Sequence, residues 1–252
     1  MMNALYSAAT GMMAMQTGMD LIAQNLANVN TTGYKSTRLT FEDLLYMQIG
    51  DQNGTTQVGM GVAPGRTQLE FTQGDMREDS SRTAMAVEGA GFFQVILPSG
   101  DIGYTRDGHF LPDANGQLVT SSGYTLEPSV VVPVTADPQT IQISPTGRVT
   151  AKVKGVDTIL GQIQLAKFVN PAGLFALGSN TYAATVNSGP AQVDDPGANG
   201  MGVIRQGYTE GSNVSVMTEM VDMITAQRAF ESVSKVLSAS DEMLSMANSA
   251  RR

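Results

Sequence analysis

The chain has 252 residues and a formal net charge of −8 at pH 7, a length that allows one or two compact domains. Hydrophobic residues make up 42% of it, enough for a core, and it has no extended run of Lys or Arg to neutralise nucleic-acid phosphates. Because Cys is absent, disulfides, thiolate nucleophiles and Cys-ligated metal sites are excluded. The single His109 excludes multi-His metal centres, so the composition argues against an enzyme and against a nucleic-acid partner.

The N-terminal segment, residues 1–35, is predicted to form one long core helix. Its apolar residues recur in steps of three and four, the spacing of a coiled-coil seam. This first seam consists of Leu5, Ala8, Met12, Met15, Met19, Ile22, Leu26 and Val29. The helix would be roughly 38 Å long, and Asn28, Asn30 and Gly33 favour its termination. Polar residues interrupt the apolar run, so we expect neither a signal peptide nor a membrane-spanning helix.

The middle of the chain is predicted to contain a connection and an all-β body. Residues 36–64 are interpreted as a connecting segment, with a polar loop at residues 50–57. Between residues 65 and 205, turn pairs such as Asn115-Gly116 and Ser122-Gly123 separate short runs of β-branched and aromatic residues. We therefore expect residues 65–205 to form an all-β domain.

The C-terminal segment, residues 206–252, repeats the pattern of the first and predicts a second core helix. The second seam consists of Met223, Ala226, Phe230, Val233, Leu237, Ser240, Leu244 and Ala247. Ser212 or Asn213 is predicted as its N-cap, and Glu219 lies near the positive end of its dipole. The predicted fold class is mixed α and β, with long N- and C-terminal coiled-coil helices flanking an all-β central domain.

Both helices carry apolar residues outside their seams, which one pairwise contact would leave exposed. The off-seam residues are Met13 and Leu21 on the first helix, and Met217, Met220, Val221, Ile224, Val236 and Met243 on the second. Each helix is therefore expected to have more than one neighbour, in the same chain, another subunit or a membrane. A membrane-inserting translocator is an alternative, but its helices should carry basic polar faces, and the first helix has no Lys or Arg before Lys35.

No catalytic, cofactor or metal site is predicted. Residues 113–116 resemble a fragment of a calcium loop, but no acidic ligands follow at the required spacing, so we predict a hairpin turn. His109, close to Asp107 after a turn signal, is interpreted as a solvated loop residue rather than a catalytic base. A carbohydrate-processing enzyme would need two neighbouring carboxylates in a cleft, which the sequence alone leaves open.

Motifs at both ends of the chain resemble those of the bacterial flagellar rod and hook protein family. Residues 23–35, with the sequence AQNLANVNTTGYK, resemble its N-terminal signature, and residues 212–214, 219–221, 223–224 and 227–231 resemble its C-terminal one. Residues 41–46, 91–95 and 104–108 further resemble the members that build the distal rod. The residues that match the family motifs are Asn25, Leu26, Ala27, Asn28, Thr32, Gly33, Gln227 and Arg228.

The resemblance implies a structural subunit whose terminal helices form a tube-core domain and assemble many copies into a hollow helical tube that transmits torque from motor to hook. It implies proximal rod, hook and surrounding ring proteins as partners, no cofactor and no direct membrane insertion. It also implies type III export, without a cleaved signal peptide, to the periplasm-spanning rod. Because residues 47–58 form a shorter tract than is typical of the distal rod, a proximal-rod or hook-like subunit is the alternative. The predicted subunit-packing residues are Leu5, Met12, Met15, Met19, Ile22, Leu26, Val29, Met220, Met223, Ile224, Phe230, Val233, Leu237 and Leu244.

Overall fold

The computed structural model describes residues 2–49, 56–133 and 136–249, and the chain divides into two compact units. Unit 1 comprises the segments 1–27, 37–69 and 214–252, and unit 2 comprises 28–36 and 70–213. The predicted mixed α and β class is confirmed, since two terminal helices flank a β-rich central region. Within the described residues, no helix has both the length and the apolar content needed to cross a membrane.

Unit 1 contains both long helices and two antiparallel strand pairs. Its elements are α1 (Met2–Ala27), β1 (Thr37–Asp43), β2 (Tyr46–Ile49), β3 (Thr56–Gly59), β4 (Val62–Leu69) and α2 (Val216–Ser249). Strand β1 pairs with β4, and β2 pairs with β3. Residues 36–64, interpreted from the sequence as a connection, thus contain strands. The predicted polar loop at residues 50–57 lies mostly outside the described residues, and its last two positions belong to β3.

The predicted N-cap of α2 is wrong. The helix begins at Val216, and the Glu219 N–H donates to the Ser215 carbonyl at 3.0 Å. The Asn213 side chain is already engaged within unit 2, because its Oδ1 accepts from Ser36 N at 2.8 Å and its Nδ2 donates to the Glu70 carbonyl at 2.7 Å. Asn213 therefore secures the end of unit 2 instead of capping the helix.

Unit 2 is built from short antiparallel strands. They are β5 (Met76–Glu78), β6 (Met85–Glu88), β7 (Phe92–Ile96), β8 (Ile102–Thr105), β9 (Phe110–Pro112), β10 (Leu118–Thr120), β11 (Thr125–Glu127), β12 (Gln142–Ile143), β13 (Arg148–Val153), β14 (Val156–Gln162), β15 (Leu165–Lys167), β16 (Phe175–Gly178), β17 (Thr181–Ala183), β18 (Gln192–Asp194), β19 (Val203–Gln206) and β20 (Tyr208–Glu210). Short 3-10 turns lie at Pro138–Thr140 and Pro171–Gly173.

One nine-stranded sheet organises this unit. Its strand order is β16-β17-β8-β7-β11-β10-β9, and β15 joins it by pairing with both β7 and β18. Smaller sheets pair β12-β13-β14, β19-β6 and β20-β5. Alternate side chains of these strands meet in one apolar core. Members of that core include Met85, Phe93, Phe110, Leu126, Val149, Ile163, Leu165 and Ile204.

The predicted turn at residues 113–116 is confirmed as a hairpin. Strands β9 and β10 pair antiparallel on either side of it, and the Asp113 carboxylate accepts from the backbone N–H groups of Asn115 and Gln117 at 2.8 and 2.7 Å. Gly116 has φ +81°, and a Cβ there would lie 2.0 Å from the Val132 carbonyl oxygen. The acidic side chain therefore closes a turn.

Candidate assembly surface

Helices α1 and α2 pack against each other within unit 1. They run antiparallel, because Asn25 near the end of α1 bonds to Glu219 at the start of α2, with Nδ2···Oε1 at 3.3 Å. The predicted seam residues of these helices are partly buried: Leu5, Met12, Met15, Met19, Ile22, Leu26, Met223, Phe230, Val233 and Leu237. Val29 lies beyond α1, in unit 2, and is also partly buried, whereas the side chain of Leu244 lies outside the described residues. Both seams are therefore partly removed from water within one chain.

A second neighbour of α1 is the β1–β4 strand pair of the same unit. A Cβ added to Gly18 would lie 3.7 Å from the Phe41 ring, so that ring approaches the helix backbone. Gly61 lies closer still, since a Cβ there would be 2.3 Å from Thr10 Oγ1. Ala14 on α1 is fully buried. The strand pair, with the residue that precedes β4, therefore approaches α1 closely.

Asn25 fixes the position where three elements of unit 1 meet. Its Oδ1 accepts from the Thr37 N–H at 3.0 Å, and its Nδ2 donates to the Thr37 carbonyl at 3.0 Å as well as to Glu219. The side chain is 3% exposed. This motif residue joins the end of α1 to the start of β1 and the start of α2.

The side of α2 opposite its seam is exposed and apolar. Met217, Val221 and Ile224 are 75%, 53% and 48% exposed, and Arg228 continues their spacing of four, three and four residues. We call these four residues the outer stripe. The neighbouring Met220 is also 50% exposed. A helix face of this kind has the chemistry of a protein–protein contact.

The motif residues Gln227 and Arg228 on α2 are more exposed and less engaged in hydrogen bonds than most motif residues at the end of α1. Leu26 is partly buried and Ala27 is exposed. Asn28 Oδ1 accepts a hydrogen bond from the Thr31 hydroxyl at 3.1 Å, which closes the turn after α1. Gln227 and Arg228 are exposed, and their side chains make no hydrogen bond or ion pair with any residue that the structure describes. Hydrogen bonds and ion pairs among the described residues therefore give no reason for the identity of Gln227 or Arg228.

A buried cluster of three charged residues lies inside unit 2. Lys35 Nζ is 2.6 Å from Glu210 Oε1, and Arg106 Nη1 is 3.2 Å from Glu210 Oε2. The Gly74 N–H donates to Oε1 at 3.0 Å, and Lys35 Nζ donates to the Thr72 carbonyl at 2.7 Å. The Lys35 and Glu210 side chains are fully buried. We call Lys35, Arg106 and Glu210 the charged triad; it joins segments that are distant in sequence.

Burial lowers the pKa of both Lys35 and Arg106 from their ordinary values, and the Glu210 carboxylate opposes this shift. The Arg106 guanidinium also donates to the Gly89 carbonyl at 2.8 Å and lies 5.1 Å from the centre of the Phe92 ring. Two cations face one carboxylate, so Glu210 is the residue whose loss would leave the most uncompensated charge.

Gly33 brings residues 28–36 close to this triad. Its N–H donates to the Glu210 carbonyl at 2.8 Å, its φ is +69°, and a Cβ would lie 2.6 Å from Asp107 N. The carbonyl of Thr32 accepts from Asn180 Nδ2 at 2.7 Å. Only glycine fits this position without moving the backbone. The N-terminal motif therefore has a packing role in unit 2.

Neither Arg106 nor Glu210 was predicted from the sequence to have a structural role. Lys35 and Glu210 are 175 positions apart, so no local spacing links them. The available signal was chemical: a charged residue inside a segment of small and apolar residues needs a buried partner. Without the strand pairing, that partner could not be named.

The residues weighed as catalytic or metal-binding candidates are dispersed. His109 is partly exposed, and its Nε2 lies 3.9 Å from Asp79 Oδ2. Within the described residues, no group of three or more His, Asp or Glu side chains could hold a metal ion. The assembly surface on α2 is thus the feature with the clearest functional chemistry.

Models of three flagellar families match successive parts of the chain. The flagella basal body rod protein model matches residues 5–35, the flagellar hook protein FlgE/F/G D1 domain matches 86–151, and the flagellar basal body rod FlgEFG protein C-terminal model matches 205–250. The two terminal matches contain most of α1 and all of α2.

Curated relatives extend this similarity over the whole chain. The chain is 46% identical over 265 residues to the flagellar basal-body rod protein FlgG of Borreliella burgdorferi, covering 100% of both chains. It is 43% identical over 256 residues to FlgG of Buchnera aphidicola, and 31% identical over 250 residues to the rod protein FlgF of Mesorhizobium japonicum, which covers 97% of each chain. With full-length matches to rod proteins and family models at both terminal helices, the chain belongs to the flagellar basal-body rod protein family, whose members are structural and not enzymatic.

Proposed function

We propose that this chain is a structural subunit of the distal rod of the flagellar basal body, and that copies of it assemble through their terminal helices into a hollow helical tube. The observation that carries the proposal is the exposed apolar side of α2, where Met217 is 75% and Val221 53% exposed. A soluble monomer gains nothing from such a face, whereas a neighbouring copy would remove it from water.

The predicted packing residues then divide between two roles. The seam residues hold α1 and α2 together in a coiled-coil pair, so that the helices form the tube core, while Met220 and Ile224 contact other copies. In this proposal α1 and α2, which lie within the predicted segments 1–35 and 206–252, supply the tube core. Residues 37–69 belong to the same unit as these helices, and unit 2 forms the β body. Torque passes through the helical lattice, because packed interfaces of many copies resist shear.

A distal position is supported by the greater similarity to FlgG, at 46% identity, than to FlgF, at 31%. The neighbours in the axis would be copies of the same chain, the proximal rod proteins and the hook protein, with ring proteins surrounding them. The proposed route to this site is type III export as an unfolded chain. No cofactor takes part in this function.

A charge on the exposed face of α2 tests the proposal. Ile224→Asp changes a residue that is 48% exposed, so the subunit should fold, but an unpaired carboxylate would enter each repeated contact. In a strain lacking its own distal rod protein, we expect this variant to be exported yet to give no rods and no swimming. Val186→Asp is the matched control, because Val186 is 99% exposed on unit 2 and should leave rods intact. Rods of normal number with Ile224→Asp would refute the proposed role of the helix face.

A further inference from the structure

A groove in unit 1 opens on a different side of α2 from the outer stripe. Residues of α1, β1 and α2 enclose a volume of about 660 Å³. Its walls are apolar at Met15, Ile22 and Leu39, and its α2 wall carries the carboxylates of Glu219 and Asp222. The groove is therefore apolar with an acidic border.

The charges around the groove favour a cationic partner. Arg38 also lines it, so two carboxylates are offset by one guanidinium. Burial raises the pKa of Glu219, the Asn25 hydrogen bond lowers it, and the nearby charge of Asp222 raises it further. An additional cation beside these carboxylates would reduce their mutual repulsion.

The outer stripe supplies the matching surface on the same chain. Met217, Val221 and Ile224 provide an apolar strip, and Arg228 ends it with a guanidinium that has no ion-pair partner among the described residues. At about 100° per residue, the stripe lies on the side of α2 roughly opposite the seam, so it cannot reach the groove of its own subunit.

We propose that the groove of one copy binds the outer stripe of the next copy, with Arg228 against Glu219 and Asp222. This inference rests on the proposed function and adds which two surfaces meet. Because stripe and groove face different sides of α2, one neighbouring copy cannot engage both at once, so their contact is heterologous. A heterologous contact that does not close into a ring builds an open helical filament. The two surfaces therefore specify a polymer rather than a two-fold dimer.

Charge reversal on each side provides the test. Asp222 is exposed, and among the described residues none donates a hydrogen bond to its carboxylate; Thr225 Oγ1 donates to its backbone carbonyl. Asp222→Lys and Arg228→Glu should therefore both leave the subunit folded. In a strain lacking its own distal rod protein, each variant alone should reduce rod-bearing basal bodies at least about tenfold. Combining both substitutions in one chain should restore rod-bearing basal bodies, because each contact then again pairs opposite charges at positions 222 and 228. The control Lys235→Glu reverses a charge seven residues further along the same side of α2 and should have little effect.

The outcomes separate this inference from the function on which it rests. Normal rods with Arg228→Glu alone, or no recovery from the combined variants, would overturn the groove–stripe contact. Failure of the unaltered chain to restore rods would overturn the proposed function itself.

Disulfide cross-linking between neighbouring copies tests the same contact without a reversal of charge. Asp222→Cys and Arg228→Cys on one chain lie about 10 Å apart along α2, too far to bridge within a copy. Since the natural chain has no Cys, oxidation of assembled rods should give a ladder of covalent multimers. Products no larger than dimers, or no cross-linking, would contradict the contact.

Discussion

The charged triad makes the stability of unit 2 sensitive to a single substitution that removes the negative charge, Glu210→Gln. The carboxylate accepts from Lys35 at 2.6 Å, from Arg106 at 3.2 Å and from the Gly74 N–H at 3.0 Å. Glutamine keeps one acceptor oxygen but turns an NH₂ group towards a cation, and it leaves two buried like charges without a counterion. Breaking a buried pair in this way costs about 3–5 kcal/mol. For a domain of this size, that loss corresponds to a decrease in Tm of roughly 10 °C.

Scanning calorimetry of the full-length protein would measure this effect on the transition of unit 2. Glu88→Gln is the matched control, because Glu88 forms a half-exposed pair with Arg205 at 3.3 Å, and such pairs contribute about 0–1 kcal/mol. If the Tm of Glu210→Gln fell no further than that of Glu88→Gln, the triad would not hold unit 2 together and the reasoning would be wrong.

Three further variants test the local structure. Asn25→Ala should lower the free energy of unfolding of unit 1 by about 1–3 kcal/mol, because it removes a buried side chain that hydrogen-bonds to both Thr37 and Glu219. Gln16→Ala, at an exposed position of the same helix, should change it little in denaturant titrations. Gly33→Ala should destabilise unit 2 by more than Gly123→Ala, since both glycines have positive φ but only Gly33 lacks room for a Cβ; equal losses would show that the close approach is unimportant. Burial raises the pKa of Asp107, so its protonated form is favoured in the folded state, and wild-type stability falls as pH rises through the window above the ordinary value of 3.8. Asp107→Asn should therefore gain stability relative to wild type across that window, and a pH-independent difference between the two proteins would contradict this.

The two terminal helices could be predicted closely from periodicity alone. Seam residues in α1 and α2 recur at the helical repeat, and the structure places helices over Met2–Ala27 and Val216–Ser249. The hairpin at Gly116 was also predictable, because an Asp-to-Gly turn sequence leaves few conformations open. These features depend on residues that are close together in sequence.

Features that join distant segments could not be predicted in the same way. The Lys35–Glu210 pair and the engagement of Asn213 by unit 2 depend on which strands become neighbours. The β1–β4 pairing was missed because Pro64 and Gly65 lie in β4, and both residue types argue against a strand interior. Sequence also left open whether the seams pair within one chain, since the same heptads satisfy either arrangement.

Chemical labelling of Ile224→Cys, in the free subunit and in isolated basal bodies, tests assembly through the terminal helices most directly. The natural chain has no Cys, so on this chain, separated from the other basal-body proteins after labelling, a thiol-specific reagent would report only this position. Ile224 is 48% exposed in the single subunit, so we expect rapid labelling there but strong protection in assembled rods. Equal labelling rates in free subunits and in rods would show that this face of α2 remains in water, and would contradict assembly through the terminal helices as proposed.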